Sequence, residues 1–326
     1  MRDKIFITGG AGYVGSVLTP YLLNKGYEVT VLDLFIYGNT LFPHPNLKVV
    51  KGDIRDKKLL EKNLKDIDIV IHLACISNDP SFELNPNLGK SINLDAFSEL
   101  VSVSKFSKVK KFIYASSSSV YGIKSEPNVN EDMSLEPLTD YSKFKAECEK
   151  ILNESKTGDF QVATIRPATV CGFSPRQRLD VIVNILTNLA YFKKEITVFG
   201  GEQLRPNVHI LDMVRSYELL LLTDFKKING EIFNVGFENV SVDKLASTVK
   251  EVLGGDITIK KTPTNDNRSY HISSEKIKKV LNFEAKFSIK SAIIDLKNAF
   301  ENEILTNTFK DIKYYNIKVM NNIKLK

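Results

Sequence analysis

Residues 4–33, KIFITGGAGYVGSVLTPYLLNKGYEVTVLD, constrain the fold more than any other stretch of the chain. Ile5-Phe6-Ile7 is a short apolar run of the kind that forms a strand buried on both faces, and it leads directly into Gly9, Gly12 and Gly15. Glycines in this pattern serve three ends: a tight turn at Gly9, close backbone approach to a pyrophosphate at Gly12, and close packing of the following helix at Gly15. That helix directs its free N–H groups and positive dipole end at the phosphates. Gly26 closes it, residues 27–32 read as a second strand, and Asp33 ends that strand about 20 residues past the glycines, where a carboxylate meets ribose hydroxyls. A glycine triplet alone is a weak signal. Strand, triplet, helix, strand and terminal acid in this order predict a dinucleotide cradle.

Further strand-like runs at 47–51, 67–74, 111–115 and 161–166 alternate with helical periodicity at 57–64, 86–107 and 141–156. Alternation at this spacing implies right-handed crossovers and an α/β fold, a Rossmann-type doubly wound parallel sheet. The expected organisation is a dinucleotide-binding domain over 1–170, with later segments returning to it, a smaller C-terminal substrate-binding lobe over 171–300, and a lysine- and asparagine-rich tail over 301–326. There is no internal repeat.

Composition narrows the partners. The charge of +6 arises from 45 basic and 39 acidic residues scattered along the chain, without a basic patch or aromatic platform, which argues against nucleic acid. Cys75, Cys148 and Cys171 lie far apart without C-x-x-C pairing, so neither a disulfide framework nor a metal site is expected. No apolar run reaches the ~18 residues of a membrane span, and the start of the chain runs straight into a core strand, so the expected location is the cytoplasm.

The chemistry-bearing residues come in two groups. Residues 112–115 form a buried strand that breaks into Ser116-Ser117-Ser118-Ser119, which puts hydroxyls at the carboxyl edge of the sheet. Tyr141 and Lys145 follow on one face of a helix. A tyrosine is a poor base at its free pKa near 10, but an ammonium beside it and a cationic nicotinamide ring favour the phenolate. With a serine hydroxyl donating to the substrate oxygen, the set interconverts alcohol and ketone. Gly52-Asp53-Ile54-Arg55-Asp56 ends the third strand; its acids either accept from an adenine amino group or cap a helix. His72 reads as a packed core histidine.

TGGAGYVG, Asp33, GDIRD, HLA, SSSSVYG, YSKFK and RPATVCG occur in the order and spacing of the extended short-chain dehydrogenase/reductases that act on nucleotide sugars, and the chain resembles that family. The resemblance implies NAD as cofactor, Ser117 as the catalytic hydroxyl, Tyr141 as the base and Lys145 as the lysine that also holds the nicotinamide ribose. Gly9, Gly12, Tyr13, Val14, Gly15, Asp33, Asp53, Ile54, Leu73, Ala74, Asn93 and Pro167 match cofactor-lining positions. Asp33 is followed by Leu34-Phe35-Ile36 and no arginine, which favours NAD over NADP. Ser118, Arg205, Arg268 and the loop arginines Arg176 and Arg178 are the expected contacts to a nucleotide-sugar substrate. A homodimer through helices 86–107 and 141–156 is implied, with Leu88, Ile92, Ala96 and Phe144 as its apolar stripe. Dehydratases of the family carry Asp-Glu after the catalytic hydroxyl, where this chain has Ser118-Ser119. The leading reading is a C4 epimerase working by transient oxidation to a 4-keto sugar. The segments SNDPSFELNP, SPRQRLD and FKDIKYYNIKVMNN resemble a bacterial branch that includes GDP-heptose 4-dehydrogenases, which makes a 4-dehydrogenase or 4-ketoreductase the alternative. A cofactor-binding regulator without catalysis is opposed by the presence of Ser117, Tyr141 and Lys145 together.

Overall fold

The computed structural model describes residues 3–264, 269 and 271–323. Its first half runs β1 (Lys4–Thr8), α1 (Gly15–Asn24), β2 (Glu28–Asp33), β3 (Leu47–Lys51), α2 (Lys57–Asn63), β4 (Ile69–His72), α3 (Asp79–Glu83), α4 (Pro86–Lys90), a π-turn at Ser91–Asp95, α5 (Ala96–Phe106), β5 (Lys111–Ala115), α6 (Asp140–Ser155) and β6 (Gln161–Pro167). The second half continues with β7 (Thr169–Cys171), α7 (Ile182–Lys193), β8 (Glu195–Phe199), β9 (Leu204–His209), α8 (Ile210–Leu222), β10 (Glu231–Val235), β11 (Glu238–Ser241), α9 (Val242–Leu253), β12 (Thr258–Thr262), α10 (Glu275–Leu281), α11 (Ile289–Glu301) and α12 (Asn316–Asn322).

The apolar runs give a seven-stranded sheet in the order β3-β2-β1-β4-β5-β6-β10, every neighbouring pair parallel, the Rossmann arrangement extended by one strand from the second half. Ile5, Ile7, Val31, Ile71, Ile113 and Ile165 pack one face against α1 and α8, while Phe6, Val70, Phe112 and Tyr114 pack the other against α5 and α6. Two small sheets, β11-β9-β7 and β12-β8, build the second lobe with α7, α9 and α11 around Val183, Leu186, Ile196, Leu245 and Ile293. Helix starts follow the sequence closely. Asp56 caps α2 by accepting from Leu59 N at 3.0 Å, and Thr139 and Ser142 form a reciprocal capping box on α6.

The expected apolar stripe for a dimer is overturned. Leu88, Ile92 and Ala96 are buried in this chain's own core, and Phe144 packs on Phe82 with ring centroids 5.6 Å apart. The helical spacing located an apolar face correctly, but that face covers the sheet. Among the described residues no helix is long and apolar enough to cross a membrane, and no group of side chains could hold a metal ion.

Candidate active site

The carboxyl ends of β1, β2, β4, β5 and β6 open into one cavity of about 580 Å³. Gly9 takes φ 72°, and a Cβ there would lie 2.7 Å from Ala74 N; a Cβ on Gly15 would lie 2.4 Å from Gly9 O. Turn, helix start and the exit of β4 therefore meet backbone to backbone, which only glycine permits. Gly9, Gly12, Tyr13, Val14, Gly15, Leu73, Ala74 and Pro167 all line the cavity. Tyr13 also bolts the turn to the second lobe, its hydroxyl donating to Gly172 O at 2.7 Å and accepting from Asn184 Nδ2 at 2.9 Å.

Asp33 stands at the cavity wall, accepting from Ala11 N at 3.0 Å and Phe35 N at 2.8 Å. Burial raises its pKa above the usual carboxylate value, so further donors such as ribose hydroxyls are suited to it. Asp53 and Ile54 line the cavity too; Asp53 is held by Arg55, whose Nη2 donates at 2.6 Å, and the helix cap falls to Asp56. Asn93 departs from expectation. Its Oδ1 accepts from Ile76 N at 2.8 Å and its Nδ2 donates to Ile76 O at 3.0 Å, so it braces the loop after β4 from behind and does not line the cavity. His72 is a core residue as expected, bonded through Nδ1 to Thr8 Oγ1 at 2.7 Å, packed on Phe97 and Tyr114, and kept neutral by burial that pushes its pKa down to about 3.

Ser117, Tyr141 and Lys145 converge on the cavity. Lys145 Nζ donates to Ala115 O at 2.6 Å, which fixes the ammonium between strand end and helix, 5.8 Å from the Tyr141 ring centroid. Ser117 Oγ is oriented by Ser119, accepting from its backbone N at 3.1 Å. Burial pushes the Tyr141 phenol well above its ordinary value, and the Cys75 and Asp79 side chains add to that; Arg178 and the hydrogen bond with Ser117 pull it back. Among the charged side chains that act on the phenol here, Arg178 leads the downward pulls. Behind the serines, Glu149 accepts from Ser116 and pairs with Arg166 at 2.7 Å, and Arg166 donates to Tyr121 at 2.7 Å. This fully buried network clamps β5, α6 and β6 around the hydroxyl cluster.

Ser118, Arg176, Arg178 and Arg205 also line the cavity, and Arg178 pairs with Asp180 at 2.8 Å. Arg268 lies outside the described residues. Sequence reading missed Tyr37, Ser77, Asp79, Asp180 and Asn316, all on the cavity wall. For Ser77, Asp79, Asp180 and Asn316 a signal existed, since they stand in the three segments that resemble the heptose branch. Asn316 lies in the last of these, in a tail that no periodicity marked.

Residues 5–236 match the model of the NAD dependent epimerase/dehydratase family. The chain belongs to that family. It is similar to UDP-glucose 4-epimerase of Lactobacillus helveticus, 29% identical over 87% of this chain and 92% of the relative, and to dTDP-D-glucose 4,6-dehydratase of Dictyostelium discoideum, 32% identical over 74% of this chain and 60% of the relative. Among solved structures, UDP-glucose 4-epimerase from Thermotoga maritima with UDP-glucose superposes with a TM-score of 0.84 at 25% identity, covering 93% of this chain and 100% of the other. The family's NAD fits the residues present. The glycine turn admits a diphosphate, the carboxylate of Asp33 stands at the cavity wall, and Arg176, buried at that wall, has Nε and Nη1 without hydrogen-bond partners among the described residues. An NAD-dependent nucleotide-sugar enzyme of this family is thus the coarse assignment.

Proposed function

We propose that the protein is a nucleotide-sugar C4 epimerase. The observation that carries the reading is the meeting of Ser117, Tyr141 and Lys145 at the sheet edge with Ser118-Ser119 beside them, where the family's dehydratases have an acid pair. Bound NAD supplies a hydride acceptor and donor. Tyr141 takes the proton of the C4 hydroxyl and later returns it, Ser117 holds the C4 oxygen through both stages, and Lys145 holds ribose and helix together. Ser118 and Ser119 carry no proton that could be delivered as a general acid near pH 7, so loss of water from the neighbouring carbons has no donor there. Arg178 and Arg205 suit the sugar nucleotide's diphosphate, because guanidinium forks match phosphate geometry.

The test is a panel of nucleotide hexoses given to the protein as purified, without added cofactor. Inversion at C4 with no net change at the reduced-nicotinamide absorbance supports the reading. The second reading, a 4-dehydrogenase or 4-ketoreductase, is favoured by the SPRQRLD loop and the 77–86 segment at the cavity wall; stoichiometric 4-keto sugar, or turnover that needs added NADH or a keto-acid acceptor, selects it. The reading also includes a homodimer through helices 86–107 and 141–156, which the family resemblance implies. A monomeric mass by light scattering at micromolar concentration rejects that pairing.

A further inference from the structure

β4 and β2 flank β1 in the sheet, so the loops that follow them, 73–78 and 34–38, stand on either side of the glycine turn. The tail runs from the second lobe to the loop after β4. Leu305 and Tyr314 pack with Leu179, Leu296 and Phe300 in the second lobe, and Met320 of α12 joins the core cluster of Phe82 in the first. Between these anchors Asn316 is 2% exposed and faces the cavity. Its Nδ2 donates to Ser77 Oγ at 2.9 Å, its backbone N donates to Asp180 Oδ2 at 2.8 Å, and its Oδ1 accepts from Arg176 Nη2 at 2.5 Å. Arg176 in turn lies flat on Tyr37, 3.6 Å from the ring centroid. Ser77, Asn316, Arg176 and Tyr37 thus form a continuous bridge over the turn that cradles the dinucleotide.

No carboxylate is paired directly with the charge on this bridge among the described residues. Arg178 has Asp180, but Arg176, 4% exposed, forms no ion pair, and its Nε and Nη1 find no acceptor among those residues. A buried guanidinium with two idle donors is costly until an anion meets it. The stacking on Tyr37, in the loop after Asp33, sets the guanidinium at the cavity wall beside the end of β2.

We propose that residues 312–322 form a retaining strap over the dinucleotide groove, with Asn316 as the positioning residue that holds Arg176 against the cofactor's diphosphate. The tail thereby belongs to the site although it lies beyond the family-matched residues 5–236. Cofactor leaves only when the Ser77–Asn316–Arg176 bridge opens, and NAD stays in place from one turnover to the next.

The test follows NADH release, by fluorescence, from protein loaded with NADH and chased with excess NAD. Asn316→Ala should speed release about tenfold, the effect of one lost hydrogen bond to a charged group. Asn316→Asp should speed it more, because the carboxylate keeps the contact to Nη2 while neutralising Arg176. A role in packing alone predicts the opposite order, with the isosteric Asn316→Asp nearest wild type, and that order overturns the proposal. Ser77→Ala isolates the Ser77 bond and should give a smaller increase. Equilibrium binding supplies a second readout: both Asn316 variants should weaken ADP-ribose and leave adenosine unchanged. Weaker UDP binding with unchanged NADH release would place Arg176 on the substrate's diphosphate and also overturn the proposal. If Asn316→Ala does not fold, Asn316→Asp and Ser77→Ala decide the matter.

Discussion

Tyr141 shows how much a single side chain asks of its surroundings. Burial holds its phenol protonated, and what pulls it back is Arg178 together with the Ser117 hydrogen bond. Tyr141→Phe should therefore lower kcat by at least about 10²-fold, the usual effect of removing a general base, while the protein still carries NAD after gel filtration. Lys145→Ala should lose both activity and cofactor, because the ammonium ties Ala115 O to α6. Retention of more than about a tenth of wild-type kcat by the phenylalanine variant would remove Tyr141 from the role of base. Arg178 gives a prediction in pH. The phenolate is the working form, so kcat/KM rises with pH toward the tyrosine's pKa. A nearby positive charge favours the phenolate, and taking it away raises that pKa. Arg178→Gln should shift the rising limb of the kcat/KM profile to higher pH, beyond any change in KM. An unshifted limb would mean that the guanidinium does not act on Tyr141.

At the scale of elements, what the sequence made legible was local. β1 to β6 appear where apolar runs and glycines put them, because a strand buried on both faces and a glycine turn leave their marks within a few neighbouring residues. The helix expected over 86–107 exists as a rod, but its π-turn at Ser91–Asp95 was hidden, since one extra residue in a turn barely disturbs an apolar period. That turn carries Asn93 to Ile76, which is why a position expected to line the cofactor instead stiffens the loop beside it. The misread dimer stripe has the same cause: periodicity defines a face and not what covers it. The loop after β2 carries its own prediction. Asp33, half-buried and bonded to two backbone N–H groups, would meet a 2′-phosphate with like charge at a partly desolvated wall. Arg176 lies near, yet its free donors face the diphosphate in the arrangement proposed above. NAD should bind more tightly than NADP by at least about tenfold in equilibrium titration. Equal affinities would show that Arg176 accepts the 2′-phosphate and that Asp33 does not select.

The whole molecule is joined at the groove. β10 returns from the second half to complete the sheet, Tyr13 bonds across to Gly172 and Asn184, Arg178 and Asp180 come from the connection before α7, and Asn316 reaches back to Ser77 over a separation of 239 residues. Contacts of that range leave no trace in composition or period, and so the tail was the part of the site least readable in advance. They also mean that the cofactor groove is lined by segments from both lobes, with two donors of Arg176 left without acceptors among the described residues. Binding to the folded chain alone stabilises it by about 2.7 kcal/mol at a hundredfold excess over Kd. For a chain of this size that amounts to several degrees in melting temperature, since about 1 kcal/mol moves a domain of 150–250 residues by roughly 2–4 °C. Protein stripped of NAD should melt lower by that amount and recover it on adding NAD back, with NADP giving less. Residues 305–323 should gain the most protection from hydrogen exchange when NAD is restored, because the tail is the outermost layer of the groove. An unchanged melting temperature on stripping, with exchange in the tail indifferent to NAD, would mean that the two lobes hold their arrangement without the cofactor between them.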